Sequence, residues 1–296
     1  MQKILVTGAN GFVGYYLVRL LLAQNYSVIA TGRGEARLPF QQENFLYETM
    51  DFTNHEEVSA IIERHQPGIV VHSGAITKPD ECELNREGAY LTNVTGTLYL
   101  LKAAERNKSH FIFLSTDFVF SGEGSNYRED DVRGPVNYYG HTKMMAEDAV
   151  MQYGHKWTIL RMVLVYGKPF LNRQNILTNT ALALQKGDRL KIFTDQHRTP
   201  TYVEDLVTAI TSIIEKKEAG IFHVSGKDVL SPYEMAIAVA RHLHLDERLV
   251  TPVTEKDFTQ PARRPPNTSF DISKARRLLD YEPTSFAEGL AKTFGG

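Results

Sequence analysis

The chain predicts an α/β fold in which a parallel sheet is doubly wound, with helices on both faces. Three observations carry this. Strand-like and helix-like segments alternate through the first half. The strand segments are almost continuously apolar, as strands buried on both sides are. A glycine-rich turn stands at the first strand-to-helix junction.

Residues 3–7 are a short apolar, β-branched run, and residues 12–23 are apolar at helical spacing. Residues 26–31 return to a strand pattern, with a weaker strand at 45–50. Residues 55–65 carry their charges on one helical face. Two further buried strands are expected at 68–72 and 110–115, with one long helix between them over 80–106. A helix over 137–153 and a strand over 157–165 close the regular part.

After about residue 167 the rhythm loosens. Helices are expected at 175–186, 203–216, 232–242, 272–279 and 286–293, and one more core strand at 220–225. The Pro- and Arg-rich stretch 251–268 reads as irregular. The expectation is a Rossmann-type nucleotide-binding domain over 1–166 and a smaller, less regular substrate lobe over 167–296, with segments near 195–225 returning to the first domain.

Composition narrows the function classes. The 296 residues are 42% hydrophobic and 23% charged, enough for a sizeable core. A net charge of −2 with no basic block argues against nucleic acid and anionic membranes as partners. The single cysteine, Cys82, allows no intramolecular disulfide and fits a reducing compartment. The sequence passes from Met1-Gln2-Lys3 straight into a strand pattern, with no signal-peptide arrangement and no bilayer-length apolar run, so the cytoplasm is the expected location. The acidic stretch Glu129-Asp130-Asp131 reads as a solvated loop, and no metal site is expected.

The first junction reads Gly8-Ala9-Asn10-Gly11-Phe12-Val13-Gly14. Gly8 permits a tight turn, Gly11 lets the backbone approach a pyrophosphate, and Gly14 lets the helix lie close to the sheet. The helix start offers unpaired N–H groups to the phosphates. The second strand ends at Arg33, with Arg37 nearby, where NAD-binding chains usually carry an acid. A guanidinium suits a 2′-phosphate, so NADP is the expected cofactor, with NADPH preferred over NADH; a solvated loop cation is the alternative. Asp51, with Phe52 beside it, follows the third strand and either reaches an adenine edge or caps a turn.

Tyr139 and Lys143 are four apart and share one face of a helix. A phenol, with a pKa near ~10, is a poor proton partner at neutral pH. A neighbouring ammonium favours its phenolate and brings it toward the working range. Thr116, at the end of the 110–115 strand, faces the ligand crevice and is placed to bond a substrate oxygen, with Ser115 as runner-up. A Y-x-x-x-K pair alone is more often a surface pair; here it follows a glycine turn and a Ser-Thr strand end in the right order.

Together these residues resemble the extended short-chain dehydrogenase/reductase superfamily, and within it the dTDP-4-dehydrorhamnose reductase branch. Ser115-Thr116-Asp117-Phe118-Val119-Phe120-Ser121-Gly122 is similar to that branch's S-T-D-Y-V-F-x-G. Asp195-Gln196-His197-Arg198-Thr199-Pro200-Thr201 is similar to its D-Q-x-x-x-P-T, and Arg264-Pro265-Pro266-Asn267-Thr268 to its R-P-x-N-S/T. The resemblance implies reduction of a 4-keto group on a nucleotide-activated deoxysugar, with Thr116, Tyr139 and Lys143 as the triad. It also implies Asn93 as a fourth catalytic residue, a structural helix residue being the alternative. Ser73, Gly74 and Ala75 would line the cofactor, after His72, and Asp117 the substrate. Dehydratases of the superfamily carry Asp-Glu after the threonine; Phe118 follows Asp117 here, which argues against dehydration. Arg198 stands where the branch often has a small or apolar residue, and it is placed to pair with a substrate diphosphate or to be a surface charge; Arg264 is placed to pair with a diphosphate or to be structural. Two other readings share the fold: a nucleotide-sugar epimerase with tightly held NAD, and a non-catalytic NADP-binding regulatory subunit like the β subunit of methionine adenosyltransferase. A homodimer is the assembly that the superfamily suggests.

Overall fold

The computed structural model describes residues 2–170, 173–257 and 260–295. Seven parallel strands form the central sheet: β1 (Lys3–Thr7), β2 (Ser27–Gly32), β3 (Phe45–Thr49), β4 (Ile69–His72), β5 (His110–Thr116), β6 (Trp157–Met162) and β10 (Gly220–Val224). Their order is β10-β6-β5-β4-β1-β2-β3. The chain winds outward from β1 through β2 to β3, then crosses back to β4 on the other side of β1. That reversal opens a crevice at the carboxyl ends of β1 and β4, where doubly wound sheets bind ligands.

Strand alternation builds two cores. On β1, Ile4 and Val6 face one layer and Leu5 the other; Ile69, Val71 and Val70 of β4 repeat the pattern, as do Ile112, Leu114, Phe111 and Phe113 of β5. The first layer is roofed by α1 (Phe12–Ala23), α8 (Val203–Lys216) and α10 (Ser273–Leu279). The second is roofed by α2 (His55–His65), α5 (Gly96–Arg106) and α6 (Tyr138–Met151). The remaining helices are α3 (Pro79–Leu84), α4 (Arg86–Tyr90), α7 (Ile176–Gln185), α9 (Pro232–His242) and α11 (Phe286–Phe294). Two small parallel sheets lie outside the central one: β7 (Val165–Tyr166) with β9 (Thr201–Tyr202), and β8 (Leu190–Phe193) with β11 (Val250–Val253).

Three expectations need correction. The helix expected over 80–106 is four pieces: α3, α4, a π-helical turn at Leu91–Thr95, and α5. Asn85 ends α3 and caps α4, accepting from Gly88 N at 3.0 Å. The strand expected over 157–165 breaks after Met162, and Leu164 takes a positive φ of 31° before the chain enters β7. The stretch 251–268 is not wholly irregular, because β11 pairs Val250–Val253 with β8; residues 258 and 259 lie outside the described residues.

The core carries buried imidazoles. Burial pushes His72 down to about 3, His110 down to about 4 and His223 well below its usual range. Unfolded imidazoles protonate near ~6.5. Below that pH the unfolded chain binds protons that the folded chain refuses, so stability falls by up to ~1.4 kcal/mol per pH unit for each group. Burial raises Asp117 and Asp205 instead, which opposes the trend with two groups against three. The urea midpoint should drop between about pH 7 and about pH 5. A constant or rising midpoint would contradict neutral buried histidines.

Candidate active site

The phosphate turn is built as its glycines require. Gly8 sits at φ 66°, and a Cβ there would meet the Gly74 Cα at 2.9 Å. A Cβ on Gly11 would lie 2.9 Å from the Gly8 carbonyl, and one on Gly14 would collide with that carbonyl and with Ala9. Gly11 caps α1 with no side-chain acceptor, so the first-turn amides of the helix keep their donors for a ligand. Ser73 Oγ donates to the Thr7 carbonyl at 2.5 Å, and Gly74 N to Thr7 Oγ1 at 3.3 Å, seating the 73–74 segment beside the turn. The Phe52 ring packs where side chains at Gly74 and Gly96 would stand. Phe12 and Val13 are half-buried at the start of α1, and Ala75 is half-buried after Gly74. Side chains would fill the cradle that a pyrophosphate needs, so this turn fits a dinucleotide.

Arg33 is exposed at the end of β2. Asp51 Oδ1 accepts from the Thr53 amide at 2.9 Å and hydroxyl at 2.8 Å, which is the turn-capping alternative for that oxygen.

Tyr139, Lys143 and Thr116 converge at the carboxyl end of β5. All three are buried, with Tyr139 8% exposed and Lys143 2% exposed. Asn137 caps α6, accepting from Gly140 N at 2.9 Å, and its amide donates to the Arg263 carbonyl at 2.8 Å. A side chain at Gly140 would run into the Phe118 carbonyl, so this glycine lets α6 lie against the turn after Thr116. The Thr116 hydroxyl stands beside the Tyr139 phenol. Burial raises the phenol's pKa above its ordinary value, and the Thr116 hydroxyl offsets part of that rise. Lys143 Nζ donates to the Leu114 carbonyl at 2.7 Å and lies 3.8 Å from the Phe113 ring centre. Burial brings its pKa down to about 7, against the pull of Glu147 and Cys82.

Several of the expected site residues have partners within the protein. The Ser115 hydroxyl donates to Glu147 Oε1 at 2.6 Å. Asn93 accepts from Ile76 N at 2.8 Å and donates to Ile76 O and Thr142 Oγ1, each at 3.0 Å. Its amide therefore ties the π-turn to α6. Both Asp117 oxygens are taken: Thr116 Oγ1 donates to Oδ1 at 3.1 Å and Thr268 Oγ1 donates to Oδ2. Arg198 is 3% exposed, its Nη1 and Nη2 donating to the carbonyls of His197 and Pro265 at 2.7 Å each. Its Nε lies 3.8 Å from Asp117 Oδ2. Placed so, it is not a surface charge but a buried one, and it braces Asp117 and the 265–266 segment. Arg264 grips Asp80 with both Nη atoms, at 2.5 and 2.8 Å, so a diphosphate would have to displace that carboxylate.

Two participants escaped the reading of the sequence. Cys82 is buried against Tyr139, and burial pushes its thiol up to about 11. Glu147, one turn beyond Lys143, is fully buried. The only sign of it in the sequence was a third polar residue at a spacing of four on the Tyr139–Lys143 face. Among the described residues no cluster of His, Cys, Asp or Glu is arranged to hold a metal, and no helix is long and apolar enough to cross a membrane.

Comparison with known proteins places this geometry. The family described as the RmlD substrate binding domain matches residues 1–295. The dTDP-4-dehydrorhamnose reductase of Aggregatibacter actinomycetemcomitans is 32% identical over 98% of this chain and 97% of its own. The methionine adenosyltransferase 2 subunit beta of Pongo abelii is 30% identical over 99% of this chain and 87% of its own. Among solved structures, the dTDP-4-dehydrorhamnose reductase of Bacillus anthracis in complex with NADP superposes with a TM-score of 0.85 at 27% identity, covering 99% of each chain.

Proposed function

The chain belongs to the RmlD substrate binding domain family, and on that footing we propose that it is an NADPH-dependent reductase of a 4-keto group on a nucleotide-activated deoxysugar, dTDP-4-dehydrorhamnose being the first candidate. The observation that carries this reading is the buried Thr116–Tyr139–Lys143 constellation at the crevice beside the phosphate turn. Residues 1–166 then hold the cofactor, and 167–296 contribute most of the substrate lobe, with β10 returning to the central sheet. The glycine turn, Asn10, Phe12, Val13, Arg33, Asp51, Phe52 and the 73–75 segment would hold NADPH, which supplies the hydride. Thr116 bonds the substrate carbonyl oxygen. Tyr139 delivers the proton to that oxygen as negative charge develops there. The Lys143 ammonium favours the phenolate that remains. A reducing compartment suits the buried free thiol of Cys82, and a homodimer is expected from the family.

The test is NADPH oxidation by the purified protein with dTDP-4-dehydrorhamnose. Turnover supports the reading. Tight NADPH binding without turnover, together with binding to a methionine adenosyltransferase catalytic subunit, favours the regulatory reading that the second relative suggests.

The protonation of Lys143 gives a pH prediction. Its ammonium is lost as pH rises through about 7 in the free protein. Because kcat/KM reports groups of the free enzyme, kcat/KM for reduction should fall on the alkaline side, approaching tenfold per pH unit above that point. A profile flat from about pH 6 to about pH 9 would remove the ammonium from the mechanism.

A further inference from the structure

We infer that Tyr47 and Thr49, on β3, set the preference for a 2′-phosphorylated dinucleotide by clamping the loop that carries Arg33 and Arg37, without touching the ligand themselves. The inference rests on the proposal that this loop meets the 2′-phosphate.

The loop leaves β2 after Gly32 and is exposed from Arg33 to Arg37. An exposed loop with two arginines would ordinarily sample many positions, and its guanidinium groups would lose conformational entropy on binding. Here it is held from two sides. Tyr47 OH donates to the Gly34 carbonyl at 3.0 Å, and Thr49 Oγ1 donates to the same carbonyl at 3.1 Å. From the phosphate turn, Asn10 Nδ2 donates to the Glu35 carbonyl at 3.0 Å and Asn10 Oδ1 accepts from the Arg37 amide at 3.0 Å. Asn10 Nδ2 also donates to Tyr47 OH at 2.7 Å, so the phenol joins the two halves of the clamp. Gly32 leaves room for the junction, since a Cβ there would lie 3.1 Å from Tyr47 OH and 3.3 Å from Asn10 Nδ2.

The consequence is selective. A ligand without the 2′-phosphate makes no demand on Arg33 or Arg37, so loosening the loop leaves its affinity alone. A ligand with the phosphate must order the loop first, and a loose loop weakens it.

The test is calorimetric titration of NADP⁺ and NAD⁺ into wild type, Tyr47→Phe, Tyr47→Phe/Thr49→Val and Arg33→Ala, with thermal melting to show that each variant folds. Tyr47→Phe keeps the ring and removes only the hydroxyl. In the double variant the NADP⁺/NAD⁺ affinity ratio should fall about tenfold, the factor that ~1.4 kcal/mol commands, with NAD⁺ affinity unchanged and Tyr47→Phe alone intermediate. A ratio unchanged in both Tyr47 variants but collapsed in Arg33→Ala overturns the clamp and leaves the arginine reading standing. Equal losses of NADP⁺ and NAD⁺ overturn it too, because they mark a general structural defect. A wild type with no preference for NADP⁺, or an Arg33→Ala that keeps the wild-type ratio, overturns the 2′-phosphate reading and the clamp with it.

Discussion

Tyr139→Phe is expected to lower kcat by ~10²–10⁴-fold, the usual contribution of a positioned general acid, while leaving NADPH affinity within about twofold of wild type. The substitution removes one oxygen from a residue that is 8% exposed, so packing against Ile76, Cys82 and Phe118 persists. The lost oxygen is the one beside the Thr116 hydroxyl. Burial alone would make this phenol a reluctant acid, since it raises the pKa. The Thr116 hydroxyl partly offsets burial, and Lys143 stands one turn further along α6. Phenylalanine leaves both in place with no proton to deliver. Stopped-flow NADPH oxidation and a separate fluorescence titration of NADPH would divide chemistry from binding. Full activity in the variant would transfer the proton-donor role elsewhere, and a loss of NADPH affinity equal to the loss of rate would make Tyr139 a binding residue only.

The site was legible in the sequence where local chemistry decides it, and obscure where distant backbone does. The glycine turn, the Thr116 strand end and the Tyr139–Lys143 spacing are local patterns, and each lies where its pattern placed it. Helices α2 and α9 carry their own start signals: Asn54 accepts from two amides at the head of α2, and Ser231 and Glu234 form a capping box at the head of α9. The π-turn at Leu91–Thr95 has no such signal. It is associated with Asn93 reaching Ile76 and Thr142, partners that only the folded chain brings near. Strands β8 and β11 are four residues each and pair only with one another, too short for a period-two pattern to be distinct. Arg198 shows the limit most clearly. Its charge reads as ligand-binding, but its donors meet carbonyls at Pro265 and Pro266, 67 and 68 residues away. Nothing in a sequence marks a carbonyl that needs a donor.

Glu147→Leu is expected to destabilise the fold by about 3–5 kcal/mol, the cost of leaving a buried charge unpaired. Glu147 is fully buried and serves three donors: Arg161, through Nε at 3.0 Å and Nη2 at 2.8 Å; Arg133, through Nη1 at 3.1 Å; and Ser115 Oγ at 2.6 Å. The two arginines differ in what they retain. Arg133 has a second carboxylate, Asp148, at 2.5 Å and is partly exposed, so it finds another partner. Arg161 is 1% exposed and keeps the Glu129 carbonyl, the neutral His223 ring and the face of the Phe120 ring, none of which carries a full negative charge. The same carboxylate joins α6 to β5 and β6, one residue from Thr116 and one turn from Lys143. Replacing both ends of the pair removes the stranded charge, so Glu147→Leu/Arg161→Met should recover at least half of the lost stability. Urea denaturation of wild type and both variants measures this directly. A single variant as stable as wild type would mean that solvent reaches Arg161 on its own; a double variant no better than the single would place the loss in packing around α6, with the ion pair contributing little.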